Sequence, residues 1–168
     1  MSVCHKTYSL YFLYVVSSKH YLAALDWQTQ LHSEFPKSFQ VTFLNAITND
    51  LNGKPDLADR DFKYLANRAT IFSSISQLFL ALRGHSNNTL LNNKMNELSI
   101  SYLENALYPL TLGESEQFLV QLEAAIEHNF ATEYFLQMPR VQTAVLNGSN
   151  ETSNTHATFS QIKESLYI

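Results

Sequence analysis

Apolar residues recur along this chain at steps of three and four, the spacing of one helical face. The first run, Thr7 to Ser18, is apolar nearly all round, so the helix it predicts should be covered on more than one side. The short polar turn Ser17-Ser18-Lys19-His20 leads to a second helix, Tyr21 to Glu34, with Ala24, Trp27, Gln28, Leu31 and Phe35 on one face. Pro36 stops it, because the residue before a proline is pushed out of helical geometry. Ser38 suits the N-cap of the next helix, whose stripe is Phe39, Phe43, Ala46, Ile47 and Leu51. Asn52-Gly53-Lys54-Pro55-Asp56 is the strongest breaker: glycine supplies a C-cap, and proline suits the start of a helix. Ala58, Phe62, Leu65, Ala66 and Ala69 form the stripe that follows.

Ile71 to Arg83 reads as a fifth helix, with Ile71, Phe72, Ile75, Leu78, Phe79 and Leu82 inward and Ser73, Ser74, Ser76 and Gln77 outward. The polar loop Gly84 to Asn88 closes it. A sixth helix spans Thr89 to Tyr108, stopped by Pro109. Thr111 and Glu114 have capping-box spacing, which predicts a seventh helix running to about Gln137. Beyond Leu146 the composition turns polar. The pattern therefore predicts an all-α fold of six or seven amphipathic helices in antiparallel hairpins. It places a single helical domain over residues 1–140 and a mobile polar tail over 141–168, with a short terminal helix at Phe159, Ile162 and Leu166.

The first half resembles the tetratricopeptide repeat, a 34-residue helix-turn-helix unit with small residues where helices meet. Shifted by 34, Ala24 meets Ala58 and Leu31 meets Leu65, while Ala46, Gly53 and Phe62 fall on the small, turn and aromatic positions. The resemblance covers residues 5–70, and it departs at Phe12, Gln28 and Pro55. It implies a stack of hairpins that presents a groove to a peptide or partner helix. A competing likeness is to winged-helix regulators of the multiple-antibiotic-resistance type. Pro36 to Val41, Asp61 to Ala69 and Phe72 to Leu78 look like successive helices of that domain, and Leu110-Thr111 with Glu114 or Glu116 like its closing segment. It implies a dimer whose recognition helix carries Ser73, Ser74, Ser76, Gln77 and Arg83 toward DNA. No basic wing fits between Arg83 and Asn93, and that helix carries little positive charge.

Composition narrows the function. Apolar residues make up 45% of the 168 positions, with 11 Phe and 9 Tyr, while charged residues are only 15% and the net charge is −4. A thin acidic charge layer lacks the clustered Lys and Arg of a nucleic-acid footprint. The single cysteine, Cys4, permits no intramolecular disulfide and no zinc set. The six histidines are dispersed, and there is no Gly-x-Ser-x-Gly elbow and no phosphate-binding glycine loop. Asp50 to Gly53 starts like a calcium loop, but Pro55 stands where that loop needs glycine. Asp56, Asp59 and Asp61 suit the positive end of a helix dipole. Three Asn-x-Ser/Thr triplets, at Asn87, Asn147 and Asn150, follow from an Asn- and Ser-rich composition in a chain with no evident secretory signal. No stretch is long enough to span a membrane, so a cytoplasmic location is expected.

The expected function is thus a noncatalytic protein–protein interaction module (an adaptor, chaperone or regulatory subunit) with no cofactor and no metal, and a homodimer in view. Its partner-binding residues are expected off the buried stripes, at Tyr14, Lys19, His20, Asn45, Asn49 and Lys63.

Overall fold

A computed structural model describes residues 21–84, 102–128 and 137–151. The predicted first and terminal helices lie outside these residues, as does most of the predicted sixth. Within them the fold is all-α, with seven helices and no strand. The chain forms two compact units, Met1–Ser73 and Ser74–Ile168. The domain expected over 1–140 is thereby subdivided at a point that no linker composition marks.

In the first unit, α1 (Tyr21–Glu34), α2 (Phe39–Leu51) and α3 (Pro55–Ala66) follow one another through short turns. Ser38 is the N-cap of α2, its Oγ accepting from the Val41 amide at 3.4 Å. At the other end of α2 the Lys54 amide donates to the Asn49 carbonyl and the Gly53 amide to that of Asp50. This is a Schellman closure, which needs a left-handed residue at its centre, and Gly53 sits there at φ 68°. α2 packs against both α1 and α3. Because neighbours flank it on two sides, its buried arc is wider than the predicted stripe, and every residue from Asn45 to Asp50 is buried. Phe43 ties the unit together, stacked on Phe72 at 4.8 Å and edge-on to Phe62 at 6.2 Å. Ala46 and Ala58 are fully buried, as expected of small residues where helices lie close. Ile71, placed on a buried stripe by its spacing, is instead exposed in the turn before the next helix.

The second unit contains α4 (Ser73–Leu82, its first residue belonging to the first unit), α5 (Tyr102–Thr111), α6 (Ser115–His128) and α7 (Pro139–Glu151). Helices α5 and α6 form a hairpin, and α7 packs against both. Their turn repeats the Schellman closure: Glu114 N–H donates to the Pro109 carbonyl and Gly113 N–H to that of Leu110, with Gly113 at φ 78°. Two expectations are corrected here. Pro109 does not end its helix but lies in the last turn, where its carbonyl serves the closure. Thr111 is the last residue of α5, its hydroxyl donating to the Tyr108 carbonyl at 2.7 Å, and so does not cap α6. The third correction concerns the tail. Residues 141–151 are helix, because Met138, Val141 and Val145 recur on one buried face despite the polar composition that follows.

Candidate functional site

Of the partner-binding residues expected from the sequence, three lie among the described residues, and two of these are buried. Tyr14, Lys19 and His20 lie outside the described residues. Asn45 and Asn49, expected to face solvent, are buried one helical turn apart on α2. The Asn49 amide donates to Asn45 Oδ1 at 3.0 Å, and Asn45 in turn donates to Asp61 Oδ2 on α3. Arg60 Nε donates to the other Asp61 oxygen at 3.0 Å. Donor thus follows donor into one carboxylate, which satisfies polar groups that would be costly to bury alone. This ladder is part of the core.

Lys63 is the one member of that set exposed among the described residues. Of the residues assigned to a recognition helix, Ser73 is buried with its hydroxyl donating to the Ala66 carbonyl at 3.0 Å, and Ser76 is fully buried. Ser74, Gln77 and Arg83 are half-buried. Two of the five side chains are therefore turned away from any ligand in solution.

A surface does assemble on the helix that carries Lys63. On the outer side of α3, Leu57 and Tyr64 are 43% and 45% exposed, and Phe39 at the start of α2 is 39% exposed. The Phe39 and Tyr64 rings lie 6.2 Å apart, tilted by 37°. The Arg68 guanidinium sits over the Tyr64 ring at 4.8 Å, a cation–π contact. Each member has a local cause. The Ser38 cap fixes where α2 begins and hence where Phe39 projects. Leu57, Arg60 and Tyr64 follow at steps of three and four along α3. Arg68 is held just beyond the helix by its amide, which donates to the Leu65 carbonyl at 3.0 Å. Sequence reasoning missed this face because it assigned Phe39 to the buried stripe. The available signal was Leu57 and Tyr64, two large apolar residues seven apart and off the Ala58–Phe62–Leu65 stripe.

Among the described residues no three His, Cys, Asp or Glu side chains gather as a metal site, and no helix is long and apolar enough to cross a membrane. Comparison of the chain with protein-family models, curated proteins and solved structures gives no match.

Proposed function

We propose that this chain is a noncatalytic interaction module that binds a peptide or partner helix on the outer face of α3. The observation that carries the reading is the exposed Phe39–Tyr64 ring pair with Arg68 laid over it. Tyrosine, phenylalanine and arginine are the residues enriched at the centres of protein interfaces. Here the tyrosine is braced before any partner arrives, so less side-chain entropy is lost on binding. Burying these side chains against a partner also removes apolar surface from water, a gain of roughly 25 cal/mol per Å² before the costs of association. In this reading the hairpin α2–α3 is a repeat-like unit, with Ala46 and Ala58 at its close-packed interior and Gly53 at its turn.

The test is co-purification from the native host with wild-type, Tyr64→Ser and Arg68→Glu baits of matched thermal stability. A protein retained by the wild type and lost by both variants is the expected result. Identical protein sets on all three baits would refute the assignment.

A further inference from the structure

We infer that the partner element is an acidic amphipathic helix, an inference that rests on the docking reading above and gives it a charge. The face carries three basic residues within nine positions, Arg60, Lys63 and Arg68, in a chain with only 11 Lys and Arg and a net charge of −4. Asp56, at the opening of α3, is the one acidic residue on that exposed side of the helix. Arg60 commits its Nε to Asp61, yet its side chain is 66% exposed. No carboxylate pairs with Lys63 or Arg68 among the described residues. The apolar groups interleave with these charges: Leu57, then Arg60, then Tyr64 on the helix, with Phe39 beside Tyr64. Leu57 and Tyr64 are separated by about 10.5 Å along the axis at 1.5 Å per residue. A partner helix with apolar residues at i, i+3 or i+4, and i+7 matches that separation. Asp and Glu flanking those positions would meet the three cations, and Arg68 offers a carboxylate its planar donor fork.

Other occupants fit less well. A nucleobase would need an open ring face on Tyr64, and one face is taken by Arg68 while Phe39 stands beside it. A second copy docked face to face by a two-fold axis would set basic residues against basic residues.

The experiment is selection from a displayed library of helical peptides, with every outward position randomised, on the full wild-type chain. Enriched peptides are expected to be net acidic with apolar residues at the stated spacing. Their affinity should fall about tenfold or more in Tyr64→Ser, the loss typical of a central interface residue. A Lys63→Glu, Arg68→Glu double variant, shown by thermal melting to be folded, should instead enrich basic peptides. Neutral or basic peptides that enrich on the wild type and are lost with Tyr64→Ser would overturn the acidic partner and leave the docking face standing. Peptides indifferent to Tyr64→Ser, or no enrichment at all, would overturn both. Tight binding of labelled oligothymidylate that Tyr64→Ser abolishes would replace the acidic helix with single-stranded nucleic acid.

Discussion

The side-chain amide of Asn45 on α2 donates to the buried carboxylate of Asp61 on α3, sixteen positions further along the chain. This bond ties the two helices of the hairpin in a single register. A slip along either helix would strand the amide or the carboxylate among Phe43, Ile47 and Phe62, where neither finds a partner. Its consequence for function is indirect: it fixes α3, and with it the face that carries Leu57, Arg60 and Tyr64.

The two ends of this bond should therefore couple when they are removed. Asn45→Ala should destabilise the fold by about 1–3 kcal/mol, because Asp61 keeps its burial and loses a donor. Asn45→Ala and Asp61→Ala together should cost less than the sum of the two, with a coupling of roughly 0.5–3 kcal/mol in a urea-denaturation double-mutant cycle. Strict additivity would show that the bond contributes nothing beyond its separate groups.

The alanines at the helix crossings give a second prediction. Ala46 and Ala58 have no exposed surface, so a larger side chain has nowhere to go without moving a backbone. Ala46→Leu and Ala58→Leu should each cost roughly 1–3 kcal/mol in equilibrium unfolding. Unchanged stability would contradict close packing around these two positions.

In the second unit, buried Arg140 acts as a helix cap from a distance. Near the end of α4 the Leu80 carbonyl is taken by the Arg83 amide and that of Ala81 by the Gly84 amide. The Phe79 carbonyl accepts from Arg140 Nη1 at 2.9 Å, and a cation is favoured at that end of a helix. Arg140→Met keeps much of the aliphatic bulk and removes the donor and the charge. It should destabilise the protein by roughly 1.5–3 kcal/mol and raise amide exchange in the last turn of α4. Exchange unchanged in that turn, whatever the global stability, would contradict the capping role.

Much of this fold was legible in the sequence, because its helices are bounded by local chemistry. Proline after Phe35, serine at position 38 and glycine at 53 place the limits of α1, α2 and α3, and the observed helices follow them closely. Pro109 misled because a proline withholds only its own amide donor, and the helix runs two residues past it before the Gly113 closure. The candidate site was much less legible. Periodicity sorts positions into inward and outward on the assumption that polar means outward, and Asn45, Asn49, Ser73 and Arg140 break it. Three of them bond a group on another element (Asn45 to Asp61, Ser73 to Ala66 and Arg140 to Phe79), and Asn49 reaches that network through Asn45. An exposed aromatic fails the same assumption in reverse: Phe39 was placed on a buried stripe and stands at the surface.

The measurement that bears most directly on the function is site-specific photo-crosslinking in the native host. Tyr64→p-benzoylphenylalanine places the reactive group on the proposed face. The same replacement at Val120, an exposed apolar residue on α6, serves as the control. The docking account predicts one discrete adduct from position 64 that is missing from position 120. No adduct at 64, or the same adducts from both positions, would contradict it.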